Sequence, residues 1–449
     1  MRKSFSNTKR QTGRKTKLPI SRARYHLVPL IGDLFAKKSF SGHKIDQILK
    51  ENHLSPEDRA LFTELFYGFL RYGHRLLYFV DKFLAKPEKI PDKIKWILAI
   101  GFYQKLYLTK IPDHAIVNES VEMAKHFIKG DAMGNLVNAV MQKFLKHHAR
   151  FHELDNYPLW VQTSFPEWMS DYLSEMWTPM GFFKLSKNLN VASPTYIRAN
   201  AAKISEEKLI IKLGKENIKC EQTSVTNCLL LPNLSVSPKD VPGYHEGMWT
   251  IQNMASQRIV HFLDLQDGDV VLDCCAGYGG KTLQMAELSK DKTDIHYFDV
   301  VDKKMHAVDI RSQKMGMRRV KGVNVFEQKY NKLLIDSPCS GLGTISSHPE
   351  IKWFRTLKDL EDQRAKQKEV INKYSQYLLP GGTMLYAVCS IDKNEGEEII
   401  KTFLADHPDF QIDETFKTPF TDVELGTYLM PTLKGESGYF FSRLIRNKE

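Results

Sequence analysis

The stretch DSPCSGLGT, residues 336–344, decides the fold. The apolar run Leu333, Leu334 and Ile335 delivers Asp336 to the place where a buried strand ends. Pro338 then turns the backbone, and Cys339 follows in a loop of serine and glycine. Open α/β sheets bind ligands just beyond the carboxyl ends of their strands, so a carboxylate and a thiol there face a cleft. Taken alone, Asp-x-Pro-Cys would describe a buried strand with an inert cysteine. Two further stretches of the same build argue otherwise: VVLDCCAGYGGKT at 270–282 and LYAVCSIDKNEGEE at 385–398. Each is an apolar strand that ends in small or reactive residues.

Around these stretches, strands and helices alternate. The pattern predicts strands at 269–273, 295–300, 332–336 and 383–388, and helices at 280–289, 303–315, 358–378 and 395–405. Such alternation gives a parallel sheet with helices on both faces, an α/β, doubly wound, Rossmann-like domain over 266–449. GYFFSRLIR at 438–446 is expected to add an edge hairpin. Upstream, residues 151–265 form a linker and a small α+β module around SPTYIRAN (193–200) and LLLP (229–232). Residues 26–150 have helical spacing throughout, with a capped start at Ser55-Pro-Glu-Asp and separate helices expected near 56–70 and 74–85. Their aromatic stripes (Phe62, Phe66, Tyr67, Tyr78, Phe79, Tyr103, Tyr107) have core spacing and read as packing. Residues 1–25 carry nine Lys and Arg and few large apolar side chains, the composition of a disordered basic tail.

At 449 residues the chain can bury more than one sizeable core. The net charge of +11 is unevenly placed. Residues 1–150 hold 28 Lys and Arg against 13 Asp and Glu, a net of +15, leaving −4 for the rest. That asymmetry points to a polyanionic partner, most simply nucleic acid. No apolar run has membrane-spanning length, so no membrane is expected. The six cysteines show no Cys-x-x-Cys pair; neither a disulfide framework nor a metal site is indicated. A reducing, cytoplasmic compartment and a monomer fit.

The segment Cys275-Ala276-Gly277-Tyr278-Gly279-Gly280-Lys281 follows a strand and opens a helix, the setting in which a glycine-rich backbone approaches a nucleotide-like ligand. Its Gly-Lys-Thr ending imitates a phosphate-binding loop, but Cys275 stands where that motif needs glycine. Twenty-six residues after Asp273, Asp299 closes the next strand, where an acid can grip both hydroxyls of a ribose. Together they indicate an adenine-nucleoside ligand and leave the reaction open.

The thiols narrow it. C5 of cytosine is barely nucleophilic; a thiolate that adds to C6 makes C5 enamine-like, able to attack a sulfonium methyl group. A carboxyl group at the pyrimidine edge draws density from the ring, and a base must finally remove the C5 proton. Asp336, Cys339 and Cys389 supply these roles if their strands are neighbours. The residues leave open which cysteine attacks.

These motifs resemble those of the RNA cytosine-C5 methyltransferases. DSPCSGLGT with HPEIKW (348–353) is similar to that family's fourth motif, YAVCS (386–390) to its sixth, and CAGYGGKT (275–282) to its cofactor loop. The likeness extends to SPTYIRAN, to QNMAS (252–256), and to a helical region similar to the antitermination-factor NusB fold. It covers about residues 25–446. The resemblance implies S-adenosyl-L-methionine as cofactor, held by residues 275–281, Asp299, Asn324 and Asp336. It further implies small-subunit ribosomal RNA as substrate, attack by Cys389 and product release assisted by Cys339. The chain departs from the family pattern in places. Gly277-Tyr278 replaces Ala-Pro, and Asn324 stands in a shortened 318–331 segment that usually carries Gly-Asp. Asn253 replaces Asp, Ser346-Ser347 replace arginines, and Val388 replaces Thr. A transfer-RNA substrate is the alternative within the same chemistry, and a non-catalytic RNA-binding assembly factor is the one that the altered cofactor-loop and third-motif positions leave.

Overall fold

Ser55 accepts a hydrogen bond from the Asp58 amide and Pro56 takes the first helical position, so the chain enters a 26-residue helix where the sequence marks one. The computed structural model describes residues 21–448 apart from 38–41, 53, 129, 233, 235, 236, 325, 327 and 328. The chain divides into two units, Met1–Phe69 with Leu76–Leu154, and Leu70–Arg75 with Asp155–Glu449.

The first unit is helical: α1 (Arg22–Tyr25), α2 (Leu27–Lys37), α3 (Gly42–Glu51), α4 (Pro56–Asp81), α5 (Asp92–Tyr107), α6 (Asp113–Phe127) and α7 (Asp131–His147). Helix α4 is continuous where a break was expected, because its apolar stripe runs on through Leu76, Phe79 and Val80, all fully buried. Phe62, Phe66, Phe79 and Tyr103 are buried, and Phe102 stacks on Phe144 at 3.6 Å, so the aromatics build a core. The basic tail expected over 1–25 lies outside the described residues through position 20. Its last residues form α1 instead, where buried Arg24 donates to Gln104 Oε1.

The second unit opens with α8 (Leu159–Thr163), α9 (Glu167–Trp177) and α10 (Pro179–Leu189). A small antiparallel sheet follows, built of β1 (Thr195–Ala199), β2 (Glu221–Gln222), β3 (Cys228–Leu231) and β4 (Trp249–Ile251) in the order β2-β3-β1-β4. Helix α11 (Glu206–Lys215) packs Leu209 and Leu213 onto it.

Helix α12 (Met254–His261) leads into the large sheet: β5 (Val270–Asp273), α13 (Gly280–Leu288), β6 (Asp294–Tyr297), α14 (Asp302–Met315), β7 (Val320–Gly322), β8 (Tyr330–Asp336), α15 (Ile351–Phe354), α16 (Leu357–Ser375), β9 (Leu378–Val388), α17 (Glu397–Asp406), β10 (Phe410–Ile412), β11 (Thr421–Val423), β12 (Gly426–Leu429) and β13 (Tyr439–Arg446). Among the described residues its order is β11-β12-β13-β9-β8-β5-β6-β7, with β10 also on β13. Strands β5 to β9 run parallel; β13 is antiparallel to β9.

Period-two alternation explains the layers. Leu333, Ile335, Met384, Tyr386 and Val388 meet α16 and α17 through Ile371, Tyr374, Ile399, Ile400 and Phe403 on one face. Leu334, Leu385 and Ala387 meet α12 and α13 through Ile259, Val260, Leu283 and Ala286 on the other. Both faces are apolar, so the strands read as continuous hydrophobic runs. The tail adds antiparallel strands at one end of the sheet, with β12 and β13 paired as a hairpin, but the strand expected at the edge over 438–446 is not the edge: β13 lies between β9 and β12 and is paired on both sides. Its Tyr439, Phe440 and Phe441 are all buried, which is the pattern of an interior strand. Strand β6 ends at Tyr297, short of the expected position 300, so Asp299 belongs to the loop beyond it.

Candidate active site

Strand β5 is flanked by β6 on one side and β8 on the other, so the connections leave it in opposite directions and open a crevice at the carboxyl ends. Four strand ends meet there. The loop after β5 carries residues 274–279, the loop after β6 carries Asp299, β8 ends at Asp336, and β9 is followed directly by Cys389.

The glycine loop and Asp299 form one half of the site. Gly277 N–H donates to Asp299 Oδ2 at 3.0 Å, and Val301 N–H donates to Oδ1 at 3.0 Å. Asp299 is 7% exposed, with Lys304 Nζ at 3.4 Å. Gly277 has a φ of 56°, and a side chain built there would meet nothing within 4 Å, so bare backbone lines an open cradle beside the carboxylate. Gly279 differs: a Cβ on it would lie 2.9 Å from Val308 Cγ2, which ties the loop tightly to α14. Cys274 is buried, its Sγ–H donating to the Leu334 carbonyl at 3.3 Å. Cys275 is half-buried, Ala276 nearly buried, and Tyr278 exposed. Asn324 is exposed in the loop after β7. A bare backbone and a carboxylate two residues beyond the neighbouring strand fit the ribose and methionine parts of an adenosylmethionine ligand.

The other half holds the reactive groups. Strands β8 and β9 pair in register through Asp336 and Ala387, and Ser337 N–H donates to the Ala387 carbonyl at 2.9 Å. That register brings the two strand ends together, and in the loops beyond them Cys339 Sγ and Cys389 Sγ lie 3.2 Å apart. The Cys339 thiol is pushed well above its ordinary range by the hydrogen bond with Cys389, then by burial, with Glu395 adding to the effect. Cys339 therefore keeps its proton. The approach is fixed from behind: Gly343 N–H donates to the Cys389 carbonyl at 3.1 Å and Gly438 N–H to the Gly343 carbonyl at 2.7 Å. A Cβ on Gly343 would sit 2.0 Å from the Gly438 oxygen, so glycine is required there.

Lys281 does not turn toward the glycine loop. Its Nζ lies 2.6 Å from Asp336 Oδ2, with exposures of 7% and 29%, and 5.2 Å from the centre of the Tyr439 ring. Burial works to lower its pKa, but Asp336 and Tyr439 outweigh it and hold the ammonium above its ordinary range. The residues from 275 to 281, together with Asp299, Asp336, Cys339 and Cys389, thus all lie at or beyond the carboxyl ends of β5, β6, β8 and β9, with Lys281 on the side of the reactive groups. Tyr439 was missed: it was assigned to an edge, although its unbroken apolar run is the mark of a buried strand. Asn253 caps α12 by accepting from Ala255 N–H at 3.0 Å. In HPEIKW, Lys352 is buried and donates to the Ser164 carbonyl and Asn190 Oδ1, an anchoring role outside the crevice.

Arg198, 2% exposed, reaches from β1 to Glu287, 3% exposed, with Nε–Oε2 at 2.5 Å and Nη2–Oε1 at 2.9 Å. Its Nη1 donates to the Gly280 carbonyl at 2.9 Å, so the small sheet braces the helix that leaves the glycine loop.

Comparison with known proteins bears on the two halves of the chain in turn. Residues 260–445 match the family model described as 16S rRNA methyltransferase RsmB/F, and residues 21–146 match that of the NusB family. Probable ribosomal RNA small subunit methyltransferase B of Bacillus subtilis is 28% identical over 392 residues, 84% of this chain and 86% of the relative. Ribosomal RNA small subunit methyltransferase B of Klebsiella pneumoniae is 28% identical over 426 residues, 91% and 95% of the two chains. Among solved structures, PH0851 matches with a TM-score of 0.76 and 21% identity over 96% of this chain and all of its own. NSun6 from Pyrococcus horikoshii, solved with the S-adenosylmethionine analogue SFG, matches with a TM-score of 0.57 and 20% identity, covering 64% of this chain and 99% of its own. Among the described residues no helix is long and apolar enough to cross a membrane. The chain thus joins a segment that matches the NusB family model to one that matches the 16S rRNA methyltransferase RsmB/F model, and its cofactor is S-adenosylmethionine.

Proposed function

We propose that this protein methylates C5 of a cytosine in 16S ribosomal RNA through a covalent adduct with Cys389. The observation that carries the reading is the pair of thiols 3.2 Å apart beside Asp336, on the ends of two adjacent parallel strands. A single thiol would serve many chemistries; two thiols and a carboxylate at one point match a cycle that needs a nucleophile, a ring-polarising group and a base. Bound S-adenosylmethionine supplies an electrophilic sulfonium methyl group.

The residues divide the work as follows. Cys339 holds its proton beside Cys389, their sulfurs 3.2 Å apart, while Cys389 gives its own proton to water and attacks C6 as the thiolate. Asp336, held by Lys281, accepts from the exocyclic amine and orients the ring. Once Cys389 is bonded to C6 as a neutral thioether, the contact that chiefly held the proton on Cys339 is gone; Cys339 gives that proton to water and, as the thiolate, takes the C5 proton from the methylated ring. The electron pair of that C–H bond re-forms the C5–C6 double bond, and Cys389 leaves as thiolate. The names of the relatives, with their 28% identity over most of the chain, support 16S ribosomal RNA as the substrate.

Bisulfite sequencing of total RNA with and without the gene tests the reaction and its target together; a missing 5-methylcytosine in 16S RNA is expected. Cys389→Ala should give neither adduct nor product, whereas Cys339→Ala should leave a methylated RNA–protein adduct that survives denaturing electrophoresis. The reverse pattern would transfer the nucleophile's role to Cys339. Loss of no 5-methylcytosine at all would leave the assembly-factor alternative standing.

A further inference from the structure

The pairing of β8 with β9 ends at Asp336 and Ala387, three residues short of Cys339 and two short of Cys389. The spacing of the thiols is set beyond the sheet, where one buried carboxylate joins both loops. Glu395 is fully buried, just ahead of α17. Its Oε1 accepts from Ser340 N–H at 2.7 Å and from Gln367 Nε2 at 3.0 Å, and its Oε2 accepts from the Ser340 hydroxyl. Ser340 directly follows Cys339. Its Oγ also lies 3.2 Å from Oγ of Ser390, the residue directly after Cys389. Gln367 completes the link by donating to the Pro338 carbonyl at 2.9 Å, so the residues on both sides of Cys339 are tied to the same carboxylate.

We propose that Glu395 is a positioning residue that clamps the Cys339 loop to the Cys389 loop and so places Cys339 for the release step. The inference rests on the release role proposed above for Cys339. A buried carboxylate is costly unless donors surround it, and here the donors come from the segments whose relative position matters most. Its charge also adds to the contact with Cys389 and to burial in keeping the proton on Cys339. Neither effect requires Glu395 to touch RNA or cofactor.

The test uses the full-length protein with Glu395→Gln, which turns an amide N–H₂ toward groups that now donate, and Ser340→Ala, which removes one donor and keeps the backbone bond. Thiol spacing is read with a bifunctional bimane that fluoresces on bridging two cysteines, the bridged pair being located by peptide mapping. The expected result for Glu395→Gln is loss of the Cys339–Cys389 bridge and a kcat lower by about 10²-fold, the scale of a misplaced reacting group. KM for S-adenosylmethionine should stay unchanged and the methylated adduct should accumulate as in Cys339→Ala. Ser340→Ala should shift the same readouts in the same direction by less. Wild-type bridging and wild-type kcat in Glu395→Gln would overturn the proposal, as would a rise in KM for cofactor without adduct accumulation. If the wild-type protein forms no 5-methylcytosine while Glu395→Gln still loses the bridge, the reaction assigned above falls and the clamp stands.

Discussion

Removing either partner of the Lys281–Asp336 pair should destabilise the methyltransferase domain, and by unequal amounts. Asp336→Asn leaves the ammonium of Lys281, 7% exposed, without its anion. Stranding a buried charge costs about 3 kcal/mol or more. Lys281→Met instead leaves Asp336, 29% exposed, where water reaches the free carboxylate, so the loss is closer to a charged hydrogen bond at about 1.5 kcal/mol. The double variant should be more stable than Asp336→Asn alone, because neither charge is then stranded, giving a coupling of about 1–3 kcal/mol. Calorimetric melts of the four proteins measure the cycle. Lys281 is raised above its ordinary pKa, so its contribution is fully present below pH 10.5 and is lost as pH rises through the higher folded-state value. The coupling measured at pH 7 and at pH 9 should therefore agree. Equal losses for both single variants, or strict additivity, would refute the argument that burial of the ammonium sets the asymmetry.

Asp299→Ala should weaken S-adenosylmethionine binding by about 1.5–3 kcal/mol in calorimetry and leave RNA affinity unchanged; unaltered cofactor affinity would remove Asp299 from the site. Arg198→Met should destabilise the protein by about 3–5 kcal/mol in the same melts, since it strands Glu287 at 3% exposure, and Glu287→Gln in addition should recover part of the loss. Burial raises the Asp273 carboxyl from 3.8 to about 7, against the hydrogen bond from Thr282. Between those values the folded protein holds a proton that the unfolded chain has released, so stability falls as pH rises from about 4 to about 7. Asp273→Asn should flatten that decline; an unchanged slope would show that other groups produce it.

The crevice was legible because its parts are local. Each strand end announces itself by an apolar run followed by small or reactive residues, and Asp336, Cys339 and Cys389 needed only the assumption that two strands are neighbours. What escaped was long-range. Nothing near Lys281 in the sequence identifies a partner 55 residues away, and the Gly-Lys-Thr ending drew attention to phosphate instead. Glu395 stands among the acids of EGEE, where it resembles one more charge in the first turn of a helix; only the fold shows that the helix begins two residues later. Tyr439 was placed at an edge because a strand near the end of a chain is easily taken for one. Its neighbours Phe440 and Phe441, buried on opposite faces, say that the strand is covered on both. Short strands such as β7 and β10 owe their existence to the partner beside them, and three residues carry too little pattern to announce it.

The register of β8 against β9 also limits how such a protein can change. Side chains alternate faces along a strand, so inserting or deleting one residue within either strand would turn its buried side chains to the opposite face and displace the loop that carries a thiol. The 41-residue excursion between the two strands, from Ser337 to Tyr377, has no such restriction on its length, because its ends are fixed by the sheet. Variation in what the crevice admits is therefore free to accumulate between the strands, while the strands themselves tolerate substitution but not a shift in frame.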